Sequence, residues 1–411
     1  MPKTVAILGT FDTKGEEFDY LRSCIESAGL ATLMIDCGVL QAPPFDPDVT
    51  RQEVAAAGGH VHADLVARHD RGSSIATMAA GAAVLVRRLF DEGLIQGVIS
   101  LGGSAGTTIG TAAMRALPAG FPKVMVSTLA SGDTRPYIGA SDILLLYPIV
   151  DIAGLNRLSR RILGNAAAAI AGMVIQEGAE DRAAKPLVAA TMFGVTTPCV
   201  TLARRILEQR GFEVLVFHAT GTGGQAMEGL IADGYFAGVL DITTTELADE
   251  LAGGVLSAGP HRLEAAAQQG IPQVVCPGAI DMVNFGPRES VPAKYADRHL
   301  YVHNPNVTLM RTTPAECAEL GRLTAKKLNQ ARGPAAFLMP LRGVSAIDAP
   351  DGPFWWPEAN RAYLSALKMN LDPQIRLIEV DANINDENFA RTAAETLLEL
   401  MKSGAGGDPG V

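Results

Sequence analysis

The sequence predicts a two-domain α/β protein in which each domain has a mainly parallel sheet flanked by helices. Short runs rich in Val, Ile and Leu alternate with segments of helical periodicity, which is typical of parallel strands joined by crossover helices. The 411 residues exceed the length of one ordinary hydrophobic core, so two domains are expected. The 43 glycines suit the many tight strand-to-helix turns of this class.

The first domain is predicted to span residues 1–180. Its candidate strands are "TVAILG", "ATLMID", "QGVISL", "PKVMVS" and "DILLLY". Segments with apolar residues at helical spacing lie between these strands. A long helix follows Ile152 and ends near Glu177. The charged, proline-ended stretch "EGAEDRAAKP" then interrupts the pattern, and we place the domain boundary there.

The second domain is predicted over residues 186–402, and a disordered tail over 403–411. Its first candidate strands are "PLVAATMFG", "FEVLVFHA", "FAGVLDI" and "PQVVCPG". We expect the same sheet to be completed by "RHLYVHN", "AAFLMP" and "IRLIEVD". Helices are expected around 313–330, 357–370 and 386–401.

Composition excludes several classes of protein. A net charge of −10 argues against nucleic-acid binding, which needs clustered Lys and Arg. The five cysteines are scattered and never in C-x-x-C spacing, so neither a disulfide framework nor a structural zinc site is expected. No signal-peptide pattern and no uninterrupted apolar run of membrane-spanning length is present. A cytoplasmic location is therefore expected.

The turn "GTFDTKGEE" after the first strand allows two interpretations. Thr13 and Glu16 fit a capping box, and Asp12 could also cap the following helix. A cap does not need Lys14, whose ammonium could contact a phosphate, with Asp12 orienting it or meeting a metal ion. The residues alone favour the cap, with nucleotide contact as an additional role.

The glycine-rich turn "SLGGSAGTT" follows the strand "GVISL" and opens a helix. Gly102 and Gly103 allow close backbone approach, and Ser104 and Thr107 offer hydroxyl groups. Neither a Walker loop nor a G-x-G-x-x-G fingerprint is present, so phosphate binding and an ordinary tight turn are equally favoured.

Two further residues fit a nucleotide site by position. Asp36 ends the second strand, where Rossmann-like folds place an acid against ribose hydroxyls. Arg71 precedes a helix and could clamp a phosphate, although a surface ion pair is the commoner role for such a residue. His60 and His62 are interpreted as part of a solvated loop rather than as metal ligands.

Polar residues after the strands of the second half form a set of candidate catalytic groups. His and Asp could supply acid–base chemistry and Arg could hold an anion; the candidates are His218, Asp241, Asp281, His303 and Arg311. Structural roles for the same residues are the more frequent alternative.

Taken in order, motifs along the chain resemble the Tm-one-like ATP-binding family of bacterial, fungal and plant proteins. These motifs are "GTFDTK", "GVISLGGSAGTT", "PKVMVSTLASG", "YIGASDI", "AGMVI", "TMFGVTTPCV", "VFHATGTGGQAME", "GVLDITTTELAD", "GAIDMVNFGP", "LMRTT", "GVSAIDAP" and "INDENFA". The resemblance covers about residues 3 to 400. It implies two Rossmann-like domains, ATP bound by the first, and a homodimer; a separate barrel-domain protein is an expected partner.

The resemblance also implies particular contacts to the nucleotide. The "DTK" match assigns Asp12, Thr13 and Lys14, and the "DRG" match supports Arg71. The "GGSAG" match assigns phosphate contact to Gly103, Ser104, Ala105 and Gly106. The familiar motif has glycine where this chain has Ala105, so close approach of the backbone there is open to question.

Two functions remain open at this stage. The first is an ATP-dependent enzyme that uses Mg²⁺ and acts on a small anionic metabolite in an interdomain cleft. The second is a non-catalytic nucleotide-sensing or protein-interaction module. A nicotinamide-dependent oxidoreductase is disfavoured by the missing G-x-G-x-x-G fingerprint.

Overall fold

A computed structural model describes residues 2–176 and 185–404. The chain forms two compact units, Met1–Glu180 and Asp181–Val411. The boundary predicted in "EGAEDRAAKP" falls largely on residues 177–184, which lie outside the described residues. The same holds for 405–411 of the predicted tail, whereas Ser403 and Gly404 still belong to a helix.

The first unit contains a parallel sheet and its flanking helices. Its strands are β1 (Thr4–Gly9), β2 (Ala31–Asp36), β3 (Gly97–Gly102), β4 (Lys123–Ser127) and β5 (Leu144–Leu146). Its helices are α1 (Phe11–Ser27), α2 (Arg51–Ala57), α3 (His62–Arg68), α4 (Arg71–Asp91), α5 (Ser104–Arg115), α6 (Arg135–Ile138) and α7 (Arg157–Ile175).

The first sheet has the strand order β2-β1-β3-β4-β5, and all its pairs are parallel. Alternate residues of β1 enter different cores: Ala6 and Leu8 pack on one face, Val5 and Ile7 on the other. Such burial on both faces explains why these strands read as continuous apolar runs. The chain passes from β1 to β2 on one side and then crosses back past β1 to β3 on the other. This reversal creates a switch point, where ligands bind in this class of fold.

The second unit repeats this design with additions. The strands of its large sheet are β6 (Leu187–Met192), β7 (Glu213–His218), β8 (Gly238–Thr243), β9 (Gln273–Gly278), β13 (Ala335–Pro340) and β14 (Arg376–Val380). They lie in the order β14-β13-β9-β8-β6-β7 and are parallel. Its helices are α8 (Thr197–Gln209), α9 (Thr222–Ala232), α10 (Thr245–Ala252), α11 (Ala265–Gln269), α12 (Pro314–Leu328), α13 (Pro357–Asn370) and α14 (Glu387–Gly404). The predicted fold class, two mainly parallel sheets flanked by helices, is confirmed.

One strand assignment is wrong. The segment "RHLYVHN" forms β11 (Leu300–Asn304), which does not join the large sheet. It pairs antiparallel with β12 (Val307–Arg311) in a small sheet that also contains β10 (Met282–Phe285). The end of β11 is exposed from Val302 to Asn304, a pattern that suits an antiparallel strand with a solvated face better than a buried parallel strand.

Among the described residues, two helices are long and apolar enough to cross a membrane by length and composition, α4 and α7. Their buried residues belong to the two cores of the first sheet. Core helices of this length pass the same test, so the two helices are weak evidence for a membrane span.

Candidate ligand-binding site

A cavity of about 690 Å³ lies at the carboxyl ends of β1 and β3, at the switch point of the first sheet. Its volume is in the range of small-molecule sites. The turns after β1, β2 and β3 and the α3–α4 segment form its walls. Of the predicted nucleotide contacts, it is lined by Asp12, Thr13, Lys14, Arg71, Gly102, Gly103, Ser104, Ala105 and Gly106.

The N-terminus of α5 supplies hydrogen-bond donors to this cavity. The N–H groups of Ser104, Ala105 and Gly106 lie in the first turn, where no helical carbonyl oxygen four residues earlier can accept from them. They therefore have no partner within the helix. No side chain caps this end, and its first turn contains no acidic residue. The first intrahelical bond, from Thr107 N to Gly103 O, measures 2.8 Å. The helix therefore presents free donors and the positive end of its dipole to the cavity.

Glycine is required where β3 and α5 approach each other. A Cβ on Gly102 would lie 2.9 Å from Gly106 Cα, and a Cβ on Gly106 would lie 3.0 Å from Leu101 O. Ala105 lies between these close approaches and is half-buried in the cavity wall. Its methyl group is therefore accommodated without displacing the turn.

Two cations reach the cavity. Lys14 is half-buried, interrupts α1 with φ −136°, and donates from Nζ to the carbonyl oxygen of Ile152. Arg71 is exposed in the first turn of α4, and within the described part of the chain no carboxylate pairs with it. The neighbouring Asp70 instead caps α4, accepting from Gly72 N at 2.9 Å and Ser73 N at 3.1 Å.

The capping box expected from Thr13 and Glu16 is not formed. Helix α1 begins at Phe11, and its N-cap residue, Thr10, makes no side-chain cap bond. Thr13 Oγ1 lies 3.0 Å from the hydroxyl of Thr10. Because the helix starts two residues before Thr13, that residue lies inside the first turn and not at the N-cap position that a capping box requires.

Asp12 shapes one wall of the cavity. Its Oδ2 accepts from Val39 N at 3.0 Å and from Leu40 N at 2.8 Å, which fixes the turn after β2. Its Oδ1 is buried and has no hydrogen-bond partner in the described structure. This oxygen is the one free carboxylate acceptor that Asp12 retains.

Two of the predicted contacts do not line the cavity. Asp36 is fully buried; its Oδ2 pairs with Arg51 at 2.7 Å, and its Oδ1 accepts from Gly38 N at 2.8 Å. Thr107 is also buried, with its Oγ1 2.7 Å from the hydroxyl of Ser127. Asp36 is thus part of an ion pair with a helix that sequence reasoning did not predict, and Thr107 joins α5 to β4.

Sequence reasoning missed the apolar wall of the cavity. This wall comes from the turn after β2, from α3, α4 and α5, and includes Val39, Leu65, Ile75, Met78 and Ile109. Cys37 also contributes, and burial raises the pKa of its thiol so that it stays protonated. The cavity therefore combines an anion-attracting end of a helix with a surface suited to an apolar ring.

The equivalent region of the second unit is closed by its own side chains. Arg262 is buried and pairs with Asp241 at 2.5 Å, Glu246 at 2.7 Å and Glu228 at 3.1 Å. Glu246 also accepts from Gly221 N at 2.7 Å and Gly224 N at 3.1 Å, at the N-terminus of α9. A carboxylate of the protein thus occupies the anion position of this glycine-rich turn. Asp241 is held by Arg262 through both of its oxygens and also accepts from Thr191 Oγ1 at 2.6 Å.

Asp281 and Arg311, two of the predicted catalytic residues, are brought together in a buried cluster. Arg311 Nη1 lies 3.5 Å from Asp281 O, and Arg311 Nη2 lies 3.7 Å from Asp348 Oδ1. Asp281 Oδ2 accepts from Ser345 Oγ at 2.8 Å, whereas its buried Oδ1 has no described partner. Burial, with the nearby charge of Asp348, raises the pKa of Asp281 to about 7.

The two candidate histidines lie apart from these clusters. His218 ends β7 and is exposed, with its ring centroid 5.5 Å from that of Phe193. His303 is exposed on β11, 6.5 Å from the ring of Tyr301. The five candidates thus do not form one set, and neither Asp281 nor Arg311 is exposed.

The described residues contain no group of three or more His, Cys, Asp or Glu side chains able to hold a metal ion. At the cavity, Asp12 Oδ1 is a buried carboxylate oxygen without a described partner.

The fold and the cavity define a two-unit, doubly wound α/β protein with an open crevice at the switch point of its first sheet. The chain belongs to UPF0261, an uncharacterised protein family. The N-terminal domain of that family matches residues 3–179, and its C-terminal domain matches residues 185–401.

Individual relatives agree with this assignment. A UPF0261 protein of Clostridium tetani is 53% identical over 403 residues, which cover 98% of this chain and 100% of the relative. The ToMV resistance protein Tm-1 of Solanum lycopersicum is 44% identical over 339 residues, which cover 80% of this chain but 45% of the tomato protein. The resemblance predicted from the ordered motifs is therefore confirmed. A solved UDP-N-acetylglucosamine 2-epimerase, 12% identical with a TM-score of 0.24 and coverage of 97% and 96%, is too distant to carry a conclusion.

Proposed function

We propose that the first unit binds ATP in the cavity at its switch point. The observation that carries this proposal is the meeting of three features in one cavity: free N–H groups at α5, the cations Lys14 and Arg71, and an apolar wall. The helix end and the cations suit the charge of a polyphosphate. The apolar wall suits the faces of a nucleobase.

Magnesium fits this proposal as an ion held mainly by the phosphates. Mg²⁺ in nucleotide sites commonly takes one or two protein carboxylates and several waters besides phosphate oxygens. Asp12 Oδ1 would be its protein ligand, because the other oxygen is already engaged by Val39 N and Leu40 N. The ion would supply neutralisation of the phosphate charge.

Substituting either cation should weaken ATP binding without unfolding the protein. We expect Lys14→Ala and Arg71→Ala each to raise the Kd for ATP by about 10-fold to 100-fold, since a charge-assisted hydrogen bond contributes about 1.5–3 kcal/mol. Isothermal titration calorimetry at fixed salt measures this. Arg68→Ala is the matched control, because Arg68 is exposed on α3 and does not line the cavity. Unchanged affinity in both cavity variants would exclude the phosphate site.

The leading version of the proposal is an ATP-dependent enzyme that acts on a small anionic metabolite. The alternative is a non-catalytic sensing module in which ATP controls a homodimer or the binding of a separate barrel-domain protein. One observation favours the alternative: the side-chain carboxylates at the cavity, those of Asp12 and Asp70, are engaged with backbone N–H groups. Each of these carboxylates thus has a structural role through one of its oxygens, which favours a binding function over proton abstraction.

One assay separates the two versions. Purified protein is incubated with ATP, Mg²⁺ and a pool of anionic metabolites, and products are followed by mass spectrometry. The enzyme predicts a new product and loss of ATP. The sensing module predicts no product, but a rise in Tm with ATP and a change in mass by light scattering.

A further inference from the structure

Lys14 contacts two parts of the first unit at once. Its side chain lines the cavity, and its Nζ donates to the backbone carbonyl of Ile152. Ile152 lies in the segment that joins β5 to α7, residues 147–156, which we call the β5–α7 segment. One ammonium group therefore connects the site proposed for phosphate with a segment that does not itself line the cavity.

The second half of the β5–α7 segment is held independently of Lys14. The side chain of Ile152 is 3% exposed and packs in the core. Gly154 N donates to the buried carboxylate of Glu17 at 2.6 Å, and Asn156 caps α7. These contacts anchor the Ile152 side chain and residues 154–156 whatever the position of the lysine, whereas the backbone carbonyl of Ile152 is held by Lys14.

The first half of the segment is held weakly. Its described hydrogen bonds are local: Val150 N donates to Pro148 O at 2.7 Å, and Ile152 N donates to the side chain of Asp151 at 2.8 Å. Ile149 has φ +67°, a left-handed conformation that is strained for a β-branched side chain, and is 65% exposed. Among the described residues, the bond from Lys14 to Ile152 O is the side-chain hydrogen bond that joins residues 147–152 to another element.

We propose that an anion in the cavity draws the Lys14 ammonium away from Ile152 and so loosens the first half of the β5–α7 segment, residues 147–152. The proposal rests on the proposed function, because the anion is the phosphate of ATP. A lysine ammonium is a flexible point charge that follows the strongest available acceptor, and a phosphate carries more charge than a carbonyl oxygen. The carbonyl of Ile152 then loses its donor, and Ile149 is freed to leave its strained conformation.

The coupling works in both directions. If ATP favours the loosened segment, then the loosened segment favours ATP by the same factor, because linked binding free energies are reciprocal. The segment carries the exposed apolar side chains of Tyr147 and Ile149, so the state of the cavity is transmitted to an apolar part of the surface. Binding of ATP alone, without its hydrolysis, would thereby change the conformation of a surface segment.

Hydrogen–deuterium exchange of the full chain tests this proposal. With saturating Mg²⁺–ATP, we expect amides of residues 147–152 to exchange at least about fivefold faster, the lower end of usual coupling factors. Amides of Ser104, Ala105 and Gly106 should be protected in the same samples. Protection at α5 with unchanged exchange at 147–152 would overturn this inference and leave ATP binding standing. No protection at α5 would overturn both.

Two variants assign the effect to Lys14. Lys14→Met without ATP should exchange at 147–152 as fast as the ATP-bound wild type, because it lacks the donor to Ile152 O. Glu17→Gln weakens the separate anchor at Gly154, so it should keep the ATP-dependent acceleration at 147–152. Slow exchange in Lys14→Met would contradict the proposal, as would loss of the ATP response in Glu17→Gln.

Discussion

Replacing Arg262 with methionine should lower the free energy of unfolding of the second unit by about 3–5 kcal/mol, the usual cost of removing one partner from a buried ion network. Arg262 is 1% exposed and is bound by the carboxylates of Asp241, Glu246 and Glu228. Methionine fills part of the volume but neutralises none of the three charges. The carboxylates of Asp241 and Glu246, both buried, would then repel each other in a site with little solvent.

Urea unfolding followed by tryptophan fluorescence measures this loss in the second unit, because both tryptophans, Trp355 and Trp356, lie there. Arg376→Met is the matched control: Arg376 forms an exposed ion pair with Glu399, and its loss should cost less than about 1 kcal/mol. Adding Glu246→Gln to the Arg262→Met protein should recover part of the stability, since one buried charge is removed. A loss for Arg262→Met no larger than that of the control would mean that the network is not stabilising.

The stability of the second unit should fall as the pH rises from about 4 to 7, in part through Asp281. Its folded-state pKa is raised to about 7 from an ordinary value near 3.8, mainly by burial and then by the charge of Asp348. Between these two values the unfolded chain releases the proton and the folded chain keeps it, so rising pH favours unfolding. One such group contributes roughly 1 kcal/mol per pH unit within that interval. Burial also raises the pKa of Asp249 to about 7, which acts in the same direction.

Asp281→Asn should flatten this pH dependence. We expect its free energy of unfolding, measured by urea titration at several pH values from 5 to 8, to change less with pH than that of the wild type and to exceed it above pH 7. Asp381→Asn serves as the control, because the exposed Arg342–Asp381 pair lowers the pKa of Asp381. The stability linked to Asp381 is present above its unfolded pKa and lost at lower pH, outside the tested interval. Identical slopes for wild type and Asp281→Asn would show that Asp281 is ionised throughout.

The sequence predicted most of the fold, because the strands of a doubly wound sheet are buried on both faces. Runs such as "GVISLG" are apolar throughout and end in glycine, so both the strand and the following turn are visible in the sequence. The short helices α2 and α3 carry no comparable signal. Arg51, the partner of Asp36, lies on α2, so the ion pair that removes Asp36 from the candidate site could not be read from the sequence.

The candidate site was predicted in part for a related reason. The glycines, Lys14 and Arg71 can be recognised in the sequence because their residue types suit phosphate binding. In the structure they line one cavity. The role of Asp12 depends on Val39 and Leu40, residues distant in sequence, and the capping box is missing because α1 begins at Phe11. Arg262 lies in an irregular stretch between α10 and α11, and nothing in its neighbourhood indicates that three carboxylates bind it.

The anion that satisfies the N–H groups of the turn before α9 is the carboxylate of Glu246, so this turn needs no anion from the solution. As part of the chain, its carboxylate is present at a fixed effective concentration beside Gly221 and Gly224, whatever metabolites surround the protein. Within the described residues, α5 has no such tethered anion, so a ligand that binds only the folded first unit adds stability that grows with the logarithm of its concentration. Under the proposed function, a fall in cellular ATP would expose the first unit to unfolding and proteolysis while the second unit keeps its resistance. The lifetime of the first unit would then follow the nucleotide supply.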